Sequence, residues 1–280
     1  MKEKDISLTF GYLLVANAGY VVTSSITSFW KIVFQGISNL GFVSLLFSKI
    51  ILRFPLVFRN PAITLQQIVN IGISSIPLIV VASIFTGAVT AESAEYQFRN
   101  FIPDRYIGTG VCLSVILELG PVLTGLVLAG RSSSAISAEI GSMKEKEELD
   151  AMHVLNLDPL RYLAMPRLLA CVIMFPILTI ISCFLAILGG WIDSIALLGL
   201  TTSTYVFGLR FLFDPYYVVI CLTKALVFGS IVAMMGYYHG LTSGAGAKGV
   251  GQATMTSVVS SSVLILIFDF IITYVMLGGV

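Results

Sequence analysis

The sequence predicts an all-α integral membrane protein: an N-terminal interfacial helix, five transmembrane helices, and a short amphipathic helix outside the bilayer between spans 2 and 3. Three observations point there. Of the 280 residues 57% are hydrophobic and only 11% charged, and the mean hydropathy is +0.96, which leaves too little polar surface to cover a soluble globule of this size. Five apolar runs reach the roughly 20 residues that a helix needs to cross the hydrocarbon layer. A single organised charge run, KEKEELD at 144–150, interrupts the apolar pattern.

Residues 1–62 read as an N-terminal membrane-associated helical segment, and 63–280 as the five-span domain. Apolar stretches around Phe10–Trp30 and Ile32–Leu52 are diluted by Thr, Ser, Asn and Gln. They read as helices lying in or dipping into the interface, anchored by Trp30, Lys31, Lys49, Arg53 and Arg59; a sixth span there is the alternative. Ala16-Asn17-Ala18 after a short apolar run imitates a signal-peptide cleavage site. Lys2 and Lys4 are offset by Glu3 and Asp5, so a retained helix is the preferred reading.

The spans fall at about Ile68–Ala91, Ile107–Ala129, Leu168–Leu188, Tyr216–Tyr238 and Val258–Leu277. Their flanking cations set the orientation. With a cytoplasmic N-terminus, the inner segments hold Lys31, Lys49, Arg53, Arg59, Arg131, Lys144, Lys146, Arg161, Arg167 and Lys248, while the outer loops hold Arg99, Arg105 and Arg210. The charge run then lies in the cytoplasm.

Ser142 and Glu145 have capping-box spacing, predicting that a new helix starts there. Lys144 with Glu148, and Lys146 with Asp150, are spaced as i,i+4 pairs, while Leu149, Met152 and Leu155 recur on another side. Asp158-Pro159 then supplies an N-cap and first-turn proline for the third span. A solvated loop helix and a docking helix for a cytoplasmic partner both fit this pattern. In the helix feeding it, Gly130, Ser134 and Ala138 form one small-residue row and Ala129, Ser133 and Ser137 another. Such rows let helix backbones approach closely in lipid, within one subunit or across a homodimer.

Three ionisable residues lie inside spans, where each is costly unless paired or wetted. Glu118, Lys224 and Asp269 fall at similar depth, counted from the outer helix ends at 1.5 Å per residue. Lys224 with Asp269 is the expected intramembrane ion pair, with Glu118 facing a cavity or its symmetry mate; one three-membered network is the alternative. Pro121, just after Glu118, frees backbone groups that need local partners.

Other chemistry is not indicated. Cys112, Cys171, Cys183 and Cys221 all sit in apolar runs without CxxC spacing, and His153 and His239 are the only imidazoles, so neither a disulfide framework nor a metal site is expected. Gly244, Gly246 and Gly249 have GxGxxG spacing but follow a membrane helix rather than a strand, and Lys248 is not in a Walker A loop. No catalytic constellation is present and no cofactor is expected. The net charge of +1 gives no reason to expect nucleic acid.

ELGPVLTGLVLAGRSSSAISAEIGSMKEKEELDAMHVLNLDPLRYLAMPRLLA, from Glu118, resembles the signature region of MlaE/YrbE-type permeases, the membrane subunits of MCE-associated ABC lipid transporters. GVGQATMTSVVSSSVLILIFDF resembles the last span of that family, including Asp269. The resemblance implies a homodimer that moves phospholipid, two cytoplasmic ABC ATPase subunits, and an MCE-domain protein on the outer side. The chain itself would be no enzyme, and the membrane a bacterial inner membrane or a plastid inner envelope. It implies ATPase contacts over Met143–Met152, among them Met143, Lys144, Glu147, Glu148, Leu149, Asp150 and Met152. A lipid pocket would involve Phe85, Val89, Tyr96, Glu118 and Leu119. The family often carries arginine where this chain has Gln252 or Thr256. An ion-coupled secondary transporter and a non-transporting membrane scaffold are the competing readings; the first lacks the internal repeat common in such folds.

Overall fold

A computed structural model describes residues 61–98 and 102–278; the expectations for the N-terminal segment, and for Arg99, lie outside them. The described residues form helices α1 (Pro61–Ile71), α2 (Ile76–Phe98), α3 (Ile107–Ser114), α4 (Gly120–Leu128), α5 (Ser134–Glu145), α6 (Glu148–Val154), α7 (Met165–Ala196), α8 (Thr202–Phe211), α9 (Pro215–Leu241) and α10 (Gly246–Leu277), with no strand among them. Five helical rods are long and apolar enough to cross a membrane: Ala62–Phe98, Asp104–Glu145, Leu160–Ala196, Pro215–Leu241 and Gly246–Leu277. All five expected spans are present, and each outruns its apolar core.

The second rod is the longest, with 42 residues. At 1.5 Å per residue it measures about 63 Å, roughly twice the hydrocarbon thickness, so a good part of it must stand outside the bilayer. It is continuous without being uniformly α-helical, since π-turns at Val115–Leu119 and Ala129–Ser133 divide it. The first rod packs on the third, and the fourth lies against the second, third and fifth. The fourth is therefore the axis of the bundle, with 56% of its most apolar window buried against 11% for the fifth.

Glycines set the closest approaches. A methyl group on Gly87 would collide with Ala186 O, and one on Gly189 with Ile84 O, so the first and third rods touch backbone to backbone. Gly236 and Gly240 bring the fourth rod onto the carbonyls of Ser133 and Ser137, each 3.0 Å from where a Cβ would sit. The row Ala129, Ser133, Ser137 thus packs inside one chain, where Ser133 Oγ meets Ser257 Oγ at 2.5 Å and Ser261 Oγ at 3.0 Å. Gly130, from the other row, is exposed, and a side chain there would meet nothing within 4 Å.

The charged segment departs from expectation. No helix begins at Ser142: α5 runs through it to Glu145, because buried Gly141 seats this stretch against Val250 and Ser243. The break comes at Lys146–Glu147, where Glu147 adopts a left-handed φ of 61°. It separates the residues expected to pair at i,i+4, and Lys144 instead donates to Ser243 O at 2.7 Å. Leu155 lies just past the end of α6 and is exposed rather than continuing a buried stripe. The Asp158 cap is present, its Oδ1 accepting from Leu160 N at 3.1 Å. The four cysteines are free and buried, as their apolar surroundings predicted.

Candidate functional site: an ion triad, a lateral groove and a charged hairpin

Pro121 has no amide hydrogen, so the carbonyl four residues back, Leu117 O, loses its helical donor. Lys224 Nζ, on the fourth rod, donates to that carbonyl at 2.7 Å. The same ammonium lies 2.9 Å from Glu118 Oε2 and 2.7 Å from Asp269 Oδ1. It hydrogen-bonds to the first two and lies in ion-pair contact with the third, and its side chain is 0% exposed. Glu118 Oε1 in turn accepts from Thr273 Oγ1 at 3.1 Å. Of the two arrangements open to the sequence, the three-membered network is the one adopted, and it ties the second, fourth and fifth rods at one depth. Two carboxylates share one ammonium, which leaves a formal excess of negative charge.

That excess faces an opening. Glu118 is 43% exposed and, with Leu119 and Ser114, forms one wall of a groove of about 660 Å³. Phe85, Thr86, Val89, Thr90 and Ser93 of α2 form the other wall. Thr86 Oγ1 donates to Ala82 O and Thr90 Oγ1 to Thr86 O, so these hydroxyls are satisfied inside their own helix and the wall is apolar in character. Phe85 and Val89 are largely exposed, which makes this a groove open on its side. The volume is within the range of small-molecule sites.

At the other end of the second rod the chain turns through the hairpin 145–160. Leu149 is buried and seats α6, whereas Lys144, Glu147, Glu148 and Asp150 are exposed and Met143 and Met152 half-buried. At the end of α6, Val154 and Leu155 stand out, 87% and 69% exposed. An acidic flank and an apolar tip on one short helix make a surface with both charge and hydrophobic grip.

The Permease MlaE family profile matches residues 64–275. The chain belongs to the MlaE permease family. It is 39% identical over 239 residues to a protein of Rickettsia bellii named "Probable ABC transporter permease protein", an alignment covering 85% of this chain and 91% of that one. A similarly named Synechocystis protein is 39% identical over 216 residues, 77% of this chain and 82% of its own. "Protein TRIGALACTOSYLDIACYLGLYCEROL 1, chloroplastic" of Arabidopsis thaliana is 32% identical over 246 residues, 87% and 68% of the respective chains.

Within this MlaE permease the residues singled out from sequence divide cleanly. Phe85, Val89, Glu118 and Leu119 line one groove, while Tyr96, exposed near the end of α2, lies outside its lining. Lys224 and Asp269 meet, and Glu118 joins them. Gln252 and Thr256 line a second groove of about 630 Å³ on the fifth rod, where Lys248 supplies a cation. Sequence reasoning missed Val154 and Leu155 as the exposed tip, Thr273 as the partner of Glu118, and Arg167 with Glu139, whose side chains approach to 2.7 Å. The apolar spacing Leu149, Met152, Leu155 was a usable signal for the tip. A half-exposed glutamate 28 residues from its partner in sequence leaves none.

Proposed function

We propose that this permease is the membrane subunit of an ABC-type phospholipid transporter, working as a homodimer and driven by separate cytoplasmic ATPase subunits. The observation that carries the proposal is continuity: one rod, Asp104–Glu145, holds Glu118 and its groove at mid-length and the charged hairpin at its end. A push on the hairpin is therefore a push on the groove wall. The apolar groove accepts acyl chains through its open side, and the half-exposed carboxylate at its floor marks where polar headgroup or water contacts begin.

The ATPase docks on Glu147, Glu148, Asp150 and the Val154–Leu155 tip, with Met143, Lys144 and Met152 at the margin and Leu149 holding the helix in place. A second copy covers the exposed fifth-rod stripe of Met255, Val259, Val263, Leu266, Phe270 and Tyr274, a surface long enough for a rod-to-rod interface. The open row through Gly130 lies on an uncovered side as well. An MCE-domain protein meets the opposite end, near α8, where Phe207 and Phe211 are exposed. The hairpin end of the bundle is cytoplasmic or stromal. The relatives favour a bacterial inner membrane or a plastid inner envelope, and the chloroplastic one is named after a glycerolipid, which favours lipid as cargo.

The ion-coupled alternative needs a cation that exchanges partners, and Lys224 is fully buried with three oxygens within 2.9 Å. A mild-detergent pull-down tests the proposal, with partners and lipids read by mass spectrometry. An ABC ATPase and phospholipid are expected to arrive with the wild-type chain, and the ATPase to be lost with Asp150→Lys or Val154→Glu at unchanged yield of the permease. Retained ATPase and unchanged lipid transfer in both variants would remove the hairpin from its docking role.

A further inference from the structure

The hairpin leaves the bundle after Glu139 on the second rod and returns before Arg167 on the third. These two residues are joined: Arg167 Nη2 lies 2.7 Å from Glu139 Oε1. Arg167 is only 3% exposed, and its Nη1 donates to Leu163 O at 2.7 Å. That carbonyl belongs to the π-turn Leu160–Ala164, which ends two residues before Pro166. Pro166 lacks an amide hydrogen, so the ladder loses its donor to Tyr162 O, and the guanidinium holds the neighbouring carbonyl from the side.

Stability alone does not account for this arrangement. Arg167 Nε is buried without a partner, which costs about 1–3 kcal/mol for an ordinary polar group. Apolar replacements of buried ion pairs are often neutral or stabilising. What a planar fork supplies that an apolar contact does not is fixed direction and register, here between Glu139 on one stem and Leu163 on the other.

The mechanical setting gives that register a use. From α6 to the second rod the path is short: it crosses the left-handed break at Glu147, and Lys144 bonded to Ser243 O steadies its near side. The path to the third rod runs through a turn containing left-handed Asn156 and then the π-turn, both of which can absorb displacement. Across the root of the hairpin, the Glu139–Arg167 pair bypasses both.

We propose that Arg167 is a positioning residue for energy coupling: its bond to Glu139 makes the two stems of the hairpin move as one body, so that ATPase motion reaches the groove instead of being lost in the turn. The inference rests on the ATPase-docking reading above.

The test uses the whole complex, the permease co-purified with its ATPase and reconstituted in vesicles of total polar lipid labelled with radiophosphate. Phospholipid moved per ATP hydrolysed is compared for wild type, Arg167→Met, Glu139→Ala and the double variant. Both single variants are expected to keep the ATPase bound and turning over. Transfer per ATP should fall about fivefold or more, the lower range of ordinary coupling free energies. The double variant should lose no more than Arg167→Met alone, because both remove one bond. Glu139→Ala alters only the exposed partner and keeps the test alive if Arg167→Met fails to accumulate. Unchanged transfer per ATP in Glu139→Ala with the ATPase bound, or additive losses in the double variant, would overturn the clamp. A wild-type chain that retains no ATPase would instead overturn the docking reading.

Discussion

Two buried cations in this permease each stand beside a proline that interrupts a helix, and they hold the chain there in different ways. Lys224 and Arg167 each donate to a carbonyl in a π-turn that precedes a proline, Leu117 O before Pro121 and Leu163 O before Pro166. Each pairs with a roughly half-exposed glutamate, Glu118 at 43% and Glu139 at 51%. Lys224, however, reaches across from another rod, meets two carboxylates and gathers three rods at mid-depth. Arg167 braces its own helix, reaches one other rod and leaves Nε unpartnered. The first is a joint that ties three rods, and the second a brace across the root of the hairpin. In the proposed coupling the first stays fixed and the second transmits movement.

The comparison can be broken most severely at Lys224. Lys224→Met leaves two carboxylates facing each other with no cation, and losing one partner of a buried pair typically costs about 3–5 kcal/mol. Little folded protein is expected in detergent by size-exclusion chromatography. Combining it with Glu118→Gln and Asp269→Asn removes the charges altogether and should recover most of the yield. A triple variant no better than Lys224→Met would mean that packing rather than charge pairing sets the cost.

A smaller effect is expected where the first and third rods touch. Gly87→Leu forces a side chain into the Ala186 carbonyl, and overpacking of this kind costs about 1–3 kcal/mol. The thermal midpoint in detergent should fall, and phospholipid transfer with it, because Phe85 and Val89 ride on the same helix. Thr273→Val removes one hydrogen bond to Glu118 and should cost about 1 kcal/mol. A change in transfer larger than that stability loss would mark Thr273 as a groove residue rather than a support. The smallest stability effect belongs to Glu139→Gln, within about 0.5 kcal/mol as for other exposed sites. A midpoint shift as large as that of Gly87→Leu would make the brace a structural joint like Lys224.

Most of the architecture was legible in the chain. Twenty-residue apolar runs cannot leave their backbone groups unpaired in lipid, so five helices followed from composition and length. Equal depths along three such rods brought Glu118, Lys224 and Asp269 together, because helix rise is fixed. The charged helix was legible as a charge run but not in its limits. Ser142 carries a capping signature, yet the packing of Gly141 against Val250 carries α5 past it. Capping is worth about 1 kcal/mol, and a tertiary contact outweighs it.

By itself, then, the sequence determined what does not depend on neighbours: the number of rods, the depth of each charge, the carbonyl orphaned by Pro121, and a hairpin too polar for the bilayer. The tertiary structure decided the rest. It chose one three-membered network over a pair and a spare, turned Ala129, Ser133 and Ser137 inward while leaving Gly130 open, and set Arg167 against Glu139. Each choice turns on which face of one helix meets which face of another. That depends on close contacts such as Gly87 on Ala186 and Gly236 on Ser133, which no periodicity within a single rod encodes.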